Sequence, residues 1–225
     1  MRIRWHGQSA FLIDGGDQSV FIDPFGAVEG FARQGLQFDY PAIEGVEVDL
    51  LLVTHEHGDH NGVEAVGGSP QVIRSTAGTF ESPLGEVVGI ASEHDDVAGT
   101  MRGSNTIFCF AYDGLRVCHF GDFGQAELRA EQRRAIGEVD VVFLPVGDGP
   151  TVGGERAAAI VRTLRPRLVV PMHYRTGAVN FLDPPDAFLD ALGARVEKLA
   201  GSELVAEQQL GTAGEPTVAL LAPPS

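Results

Sequence analysis

Residues 50–60 read LLLVTHEHGDH, an apolar run that ends in a short loop crowded with side chains able to bind a metal. Three of the seven histidines of the chain lie in this loop, together with one aspartate. His55 and His57 are two positions apart, so in an extended segment they point to the same side. A turn at the following glycine then returns Asp59 and His60 toward the same space. Nitrogen and oxygen ligands of this kind suit borderline divalent metals, so the stretch predicts a metal site after a buried strand.

Apolar runs of similar length recur along the rest of the chain and predict further β-strands. They are rich in Val, Ile, Leu and Phe and are bounded by Gly, Pro and Asp, which is typical of strands joined by turns. Several of them are apolar throughout, and this pattern indicates burial on both faces of a sheet. The predicted strands cover residues 2–5, 10–13, 19–22, 50–54, 71–74, 106–112, 115–120, 139–144, 168–172 and 217–221.

Helical patterns are fewer and lie mostly in the second half of the chain. The predicted helices cover residues 125–136, 155–164 and 184–192. For the last helix, Asp183 is a candidate N-cap, Pro184 suits the first turn and Gly193 suits the end. Strands that come first and then alternate with helices indicate sheets packed together with helices outside.

Residues 25–48 fit neither the helical nor the strand period and are long for a loop. Phe25, Phe31, Phe38 and Tyr40 supply aromatic surface within this segment. Two interpretations remain open. The segment is either a lid that overhangs a pocket and excludes water, or a satellite cluster packed on the sheet.

The sequence YDGL at residues 112–115 predicts a β-hairpin with a two-residue Asp-Gly turn. This register places Cys109 opposite Cys118 and Phe108 opposite His119. The two cysteines then form a pair without direct backbone hydrogen bonds, with Cα atoms ~4.5 Å apart. We expect free thiols rather than a disulfide, because the reducing cytoplasm disfavours bridges. His119 is interpreted as a core histidine.

Length and charge narrow the class of protein and its partners. The chain has 225 residues, a size that fits one domain over residues 1–225. Its 16 basic and 31 acidic residues give a net charge of −15, which disfavours nucleic-acid binding. No apolar run approaches a membrane span, and residues 10–13 are too short for the core of a secretory signal. We therefore expect a cytoplasmic protein with a small-molecule substrate and no nucleic-acid or membrane partner, and a homo-oligomer stays open.

The pattern H-x-H-x-D-H after a buried strand resembles the metallo-β-lactamase superfamily, and the resemblance extends along nearly the whole chain. The segments SEHD and RGSNTI, with the fourth motif HFGDFG, resemble the branch of ascorbate-6-phosphate lactonase-like and phosphodiesterase-like hydrolases. The matching segments are IRWHGQSAFLI at 3–13, FIDP at 21–24, SEHD at 92–95, RGSNTI at 102–107, HFGDFG at 119–124, LPVG at 144–147 and VPMHY at 170–174.

This resemblance implies two divalent metal ions, with zinc favoured and manganese or iron as alternatives. The implied ligands are His55, His57 and His94 for the first ion, Asp59, His60 and His173 for the second, and Asp122 as the bridge between them. About three protein ligands for each metal leave a position open for water. Two such metals can share a hydroxide nucleophile, which Asp59 could help to orient as the catalytic residue.

Further candidates lie next to these ligands in the sequence. Arg102 and Arg175 are candidate substrate-binding residues, because a guanidinium can clamp a carboxylate or phosphate; the alternative is a solvated arginine. Asn105 is a candidate either to donate a hydrogen bond to the substrate or to hold its loop. Asp23 is expected to orient a ligand histidine. His6 either packs in the fold or lines the site near the metals.

The fold implied by the resemblance is α/β, a four-layer αβ/βα sandwich of two mixed β-sheets with helices outside. The implied function is metal-dependent hydrolysis, first of a lactone or related cyclic ester of a small substrate, for which an anionic group is one option. Phosphodiester hydrolysis on the same dinuclear site is the alternative. A mono-iron persulfide dioxygenase-like oxidoreductase is the alternative from a different enzyme class, and a metal-binding module without catalysis is a third.

Overall fold

The apolar runs of the sequence form the central strands of two β-sheets. The computed structural model describes residues 1–26 and 28–225, with the backbone alone at position 29. The strands are β1 (Arg2–Gly7), β2 (Ala10–Asp14), β3 (Val20–Ile22), β4 (Val46–Glu47), β5 (Leu50–Val53), β6 (Val66–Gly67), β7 (Gln71–Arg74), β8 (Gly78–Ser82), β9 (Gly85–Glu93), β10 (Ser104–Tyr112), β11 (Leu115–His119), β12 (Val141–Pro145), β13 (Leu168–Met172), β14 (Arg195–Lys198), β15 (Glu203–Val205) and β16 (Thr217–Leu220). The helices are α1 (Glu29–Arg33), α2 (Ala130–Ile136), α3 (Gly154–Leu164) and α4 (Asp186–Leu192), with single 3₁₀ turns at Val63–Ala65 and Ala206–Gln208.

Both large sheets are mixed, as predicted. One has six strands in the order β15-β1-β2-β3-β5-β7, and the other has eight in the order β14-β16-β13-β12-β11-β10-β9-β8. Strands β3, β5 and β7 run parallel to one another, and so do β11, β12, β13, β16 and β14. Strands β9 and β11 share one direction, because both pair antiparallel with β10. The short strands β4 and β6 form a separate parallel pair.

The two sheets face each other across an apolar core. Along β2, Phe11 and Ile13 belong to this core, whereas Ala10 and Leu12 belong to a second cluster. This alternation is the period of two of a β-strand. The ring of Phe11 lies 4.6 Å from that of Phe143 on β12, measured between centroids, so side chains of the two sheets interlock.

Helices cover the outer side of the eight-stranded sheet. Ile136 of α2, Phe188 of α4 and the apolar stripe of α3 belong to the same core cluster as β12 and β13. The longest helix is α3, with 11 residues, and none of the helices in the described chain is long and apolar enough to span a membrane.

The segment 25–48 covers the outer face of the six-stranded sheet. Phe25 and Tyr40 are buried there in the second cluster, together with Leu12 and Phe21 of the sheet. Apart from α1 and β4 the segment is irregular, and Ala27 lies outside the described residues. This packing favours the satellite cluster over the lid.

Element boundaries depart from the sequence patterns in several places. Helix α4 begins at Asp186 with Pro185 at the N-cap and no side-chain cap, so the prediction that Asp183 caps it is wrong. The reason is that Pro185 disfavours the helical region for the residue before it.

The prediction for α2 began five residues too early, because residues 125–129 form the turn that precedes Ala130. The sequence patterns do not predict β4, β6, β8, β9, β14 and β15, because these strands are short or mix exposed with buried positions and are defined by pairing with their neighbours.

The predicted hairpin register is confirmed. Cys109 pairs with Cys118 and Phe108 pairs with His119. The two sulfur atoms lie 3.1 Å apart as buried free thiols. Burial raises the pKa of the Cys118 thiol well above its usual range, and the hydrogen bond from Cys109 acts in the same direction. A buried neutral thiol pair of this kind is a packing element.

We predict that Cys109→Ala and Cys118→Ala leave the metal content of the protein unchanged. Each variant should lose about 1 kcal/mol of unfolding free energy, because a buried sulfur is replaced by a small void. Elemental analysis and urea unfolding measure the two quantities. Loss of metal from either variant would show that a thiolate is a ligand.

Candidate metal centre

The ligands implied by the sequence meet at one edge of the sandwich, because each follows the carboxyl end of a strand. The loop after β5 supplies four of them. His94 follows β9, Asp122 follows β11 by two residues of turn, and His173 follows β13 directly. All of these side chains are buried except that of His57, which is exposed and gives the centre a side open to solvent.

The seven side chains form three overlapping groups that could hold a metal. Within each group the ligand atoms all lie within 4.8 Å of one another. The groups are His55–His57–His94, Asp59–His60–His173 and His55–His60–Asp122. The first two are the triads implied by the sequence resemblance, and the third connects them.

Asp122 lies at the centre of the cluster. Its Oδ2 atom is 3.1 Å from His94 Nε2, 3.2 Å from His173 Nε2 and 3.3 Å from His60 Nε2. His60 Nε2 is buried and makes no hydrogen bond to any residue that the structure describes, so its only close polar neighbours are other candidate ligand atoms such as Asp122 Oδ2. A buried lone pair without a partner is costly, so this nitrogen fits a metal ion well.

Hydrogen bonds on the opposite ring nitrogens orient the histidines. The fully buried Asp23 carboxylate accepts hydrogen bonds from the backbone N–H and hydroxyl of Thr54, both at 2.7 Å, and from His60 Nδ1 at 3.0 Å. The Thr54 hydroxyl in turn accepts from His55 Nδ1 at 3.0 Å. His94 Nδ1 donates to the Pro150 carbonyl at 3.0 Å. In all three rings the Nε2 atom is left to face the metal site, as in carboxylate-oriented metal ligands.

The electrostatics of the cluster favour a bound cation. Burial lowers the pKa of His55 well below its usual range, and nearby His60 acts in the same direction, so this ring is a neutral ligand. Burial would raise the pKa of Asp122, but His173 and His60 outweigh it and hold this pKa well below the usual range. Asp122 is therefore a buried, ionised carboxylate, and a metal ion would supply the positive charge that it needs.

Glu56, between the first two histidines, is not part of the centre. Its carboxylate pairs with Arg74 and accepts a hydrogen bond of 2.5 Å from Ser75 Oγ. The hydrogen bond from Arg74 lowers its pKa to about 2. Glu56 therefore anchors the outside of the loop to β7.

Comparison with known proteins identifies the family. Residues 2–173 match the family model of the beta-lactamase superfamily domain, which ends at the last ligand of the centre. The chain belongs to the metallo-β-lactamase superfamily. It is 32% identical over 212 residues to a UPF0173 metal-dependent hydrolase of Pyrobaculum islandicum, a match that covers 83% of this chain and 89% of the relative. It is 30% identical over 228 residues to one of Thermococcus kodakarensis, covering 88% and 94%.

A solved structure supports the same placement. A Thermotoga maritima protein described as a Zn-dependent hydrolase of the metallo-β-lactamase superfamily superposes with a TM-score of 0.74 at 26% identity, over 98% of both chains. The predicted sandwich fold is thereby confirmed. The chain is a metal-dependent hydrolase of this superfamily.

Asn105 holds the metallo-β-lactamase centre together and does not face a substrate. It is buried, and its Nδ2 atom donates to Ser92 Oγ and to the Phe120 carbonyl, both at 2.8 Å. Its Oδ1 atom accepts the backbone N–H of Asp122 at 3.0 Å. A Cβ at Gly121 would lie 2.4 Å from that Oδ1, so only glycine allows this approach. Of the two roles considered for Asn105, the structure favours loop support.

Of the remaining candidates, Arg102 lies at the surface, whereas Arg175 and His6 contact other parts of the fold. Arg102 is exposed and lines a cleft together with Asp95, the residue that follows His94. Arg175 instead donates from Nε to the Leu182 carbonyl at 2.6 Å and so holds its own loop. His6 packs against Phe21 at a centroid distance of 5.1 Å, on the outer face of the sheet, which favours the packing interpretation. Burial lowers the pKa of His6 to about 4, and Arg4 acts in the same direction.

Gln8 is a contact of the centre that the sequence interpretation did not assign. Its fully buried side chain donates from Nε2 to Asp59 Oδ2 at 3.2 Å. The backbone carbonyl of Gln8 accepts a hydrogen bond from the backbone N–H of His173, also at 3.2 Å. It thus touches two members of the second triad, and its φ of 50° places it in the left-handed region. Strained backbone at a site is a signal that sequence alone does not carry.

We predict that Asp122→Ala abolishes metal binding in both triads and lowers hydrolytic activity by at least about 100-fold, because it removes the carboxylate between them. The fold should persist, since the frame consists of apolar strands. Elemental analysis measures the loss of metal, and circular dichroism measures whether the fold persists. A variant that unfolds at room temperature would show that Asp122 is structural.

We predict that Gln8→Met lowers activity by about 10- to 100-fold, because Asp59 loses the donor that orients it. Metal content should fall selectively, toward one ion per chain. Gln8→His restores a ring N–H donor and should recover most of the loss, whereas Arg4→Gln on the preceding strand β1 should have no effect. Equal losses in Gln8→Met and Gln8→His would contradict an orienting role.

Proposed function

We propose that the protein is a lactonase-like hydrolase that opens a lactone or related cyclic ester on a dinuclear metal centre. The observation that carries the proposal is that two complete ligand triads lie on either side of Asp122, with its Oδ2 atom 3.1–3.3 Å from imidazoles of both. Two divalent cations held there, with zinc favoured and manganese or iron as alternatives, would lower the pKa of a shared water and so supply a hydroxide nucleophile.

The side chains around the centre would have different roles in the reaction. Asp122 would bridge the two ions, and the hydrogen bonds that Asp23 accepts from Thr54 and His60 would fix the orientation of the His55 and His60 rings. Asp59, held by Gln8 at 3.2 Å and 3.6 Å from His60 Nε2, would orient the attacking hydroxide. The solvent-exposed His57 marks the side on which an ester carbonyl would enter.

A cleft of about 660 Å³ is the candidate substrate site; none of the seven ligands lines it, but Asp95, which follows His94, and Pro150, whose carbonyl accepts from His94 Nδ1, both do. Its walls include the loop after His94, the loop that carries Pro150 and the start of α3. Five carboxylates and two guanidiniums line it, namely Asp95, Asp96, Asp148, Glu155 and Asp183 against Arg102 and Arg156. Arg156 lies 3.4 Å from Asp96, which leaves Arg102 to meet a substrate.

This charge distribution favours a neutral ester over a phosphodiester. An acidic cleft repels a second anionic group, whereas a lactone carries no charge before it is opened. The carboxylate formed on ring opening would be repelled toward solvent, which assists product release. Phosphodiester hydrolysis therefore remains the second candidate.

An oxidoreductase like the mono-iron persulfide dioxygenases is less well supported, because a single iron would leave one triad without a role. A metal-binding module without catalysis is disfavoured because the ligand set is complete. These alternatives predict different metals and different reactants, so one set of measurements separates them.

The test is elemental analysis of protein purified without chelator, followed by a screen of neutral lactones, phosphodiesters and oxygen consumption. We expect about two divalent ions per chain and lactone hydrolysis that Asp122→Ala abolishes. Glu56→Gln is the matched control, because its side chain lies in the same loop but points to Arg74, and it should keep full activity.

Three outcomes would reject the proposal. Turnover of phosphodiesters without lactones would establish the second candidate. A single bound iron with oxygen consumption would establish the oxidoreductase. Metal binding without turnover of either ester class would leave a binding module.

A further inference from the structure

A second cleft, of about 1190 Å³, lies between α2, the end of α3 and the start of β13. Five of the 16 basic residues of the chain line it. They are Arg129, Arg133, Arg134, Arg165 and Arg167. Three acidic residues also line it, so the cleft has a local excess of positive charge on a protein whose net charge is −15. We call it the arginine cleft.

Two of these arginines are already engaged. Arg129 pairs with Glu93 at 2.5 Å, and Arg167 lies 3.4 Å from Asp140. Asp140 also accepts the backbone N–H of Arg116 at 2.9 Å, so this carboxylate is well compensated. Both engaged arginines line the cleft beside the three remaining ones.

Arg133, Arg134 and Arg165 have no carboxylate within 4.0 Å in the part of the chain that the structure describes. Arg133 and Arg134 belong to the last turn of α2, and Arg165 is the C-cap of α3. A basic residue at a helix C-terminus is favourable by itself. That effect does not require all three residues to line one cleft, and none of the three donates a side-chain hydrogen bond to a carbonyl among the described residues.

The arginine cleft is separate from the metal centre. Arg167 precedes β13, whereas the ligand His173 follows it. The five residues of this strand span about 16 Å at ~3.3 Å per residue, which sets the distance between the two sites. No metal ligand lines the cleft within the described chain.

We propose that the arginine cleft binds a polyvalent phosphate ligand, such as a condensed phosphate or the phosphate chain of a nucleotide. Guanidinium groups match phosphate oxygens in pairs, and several arginines lining one cleft suit a ligand with several charged groups better than a single anion. The three uncommitted arginines would contact the phosphates, while Arg129 and Arg167 keep the walls in place.

Calorimetric titration of the metal-loaded protein with tripolyphosphate tests this assignment. We expect saturable binding that weakens as salt is raised, and weaker binding of orthophosphate. Arg133→Gln and Arg165→Gln should each weaken tripolyphosphate binding by about tenfold, because each removes a charge-assisted contact. Arg33→Gln changes the net charge equally on exposed α1 and should leave binding unchanged.

A second variant excludes capture of tripolyphosphate by the metal ions. Asp122→Ala should keep the binding, because the cleft lies at the other end of the strands. Binding lost in Asp122→Ala but kept in both arginine variants would overturn the proposal, and so would equal losses in Arg33→Gln. To distinguish the sources of the phosphate chain, ATP and tripolyphosphate are compared: tighter binding of ATP would assign a nucleotide, and equal binding a condensed phosphate.

Discussion

The metal centre depends on one geometric constraint, the convergence of strand carboxyl ends at a single edge of two packed sheets. Strands β3, β5, β9, β11 and β13 each end there, and each is followed by a residue that binds or orients the centre. The apolar strands are held by the contact of the two sheets, so their ends are fixed in space without help from a metal. Ligands separated by more than a hundred residues can therefore meet within 4.8 Å.

The position of the strand ends does not by itself determine how the imidazole rings are oriented. Hydrogen bonds to neighbouring side chains determine their orientation. Asp23 connects the end of β3 to the loop after β5 through Thr54 and His60, and Asn105 connects β10 to the turn that carries Asp122. Each bond satisfies a buried polar group and at the same time fixes which ring nitrogen or carboxylate oxygen faces inward. The same contacts therefore stabilise the core and organise the chemistry.

Three of the eight non-glycine residues with positive φ in the described chain lie at this edge. Gln8, Asp23 and His173 all have φ near 50°, a conformation that residues other than glycine rarely adopt. The backbone N–H of His173 donates to the carbonyl of Gln8, so two of the three are tied directly to each other. The surrounding core compensates for this local cost, and the outcome is a set of side chains that extended backbone could not direct into one space.

The sequence by itself determined the hairpin register through its Asp-Gly turn and most of the buried strands through their apolar runs, whereas its resemblance to the superfamily implied the class of fold and the seven candidate ligands. Only the tertiary structure decided the roles of Asn105, Gln8, Arg175 and His6, since a role depends on which buried partner each side chain meets across strands far apart in sequence. The tertiary structure also decided strands β8 and β14, because pairing with a neighbouring strand defines them. It decided the start of α4 as well, because the steric effect of Pro185 outweighs local helix propensity there. The clustering of five arginines in one cleft is likewise a property of packing, as the residues come from three separate elements whose ends meet only when the sheet is covered.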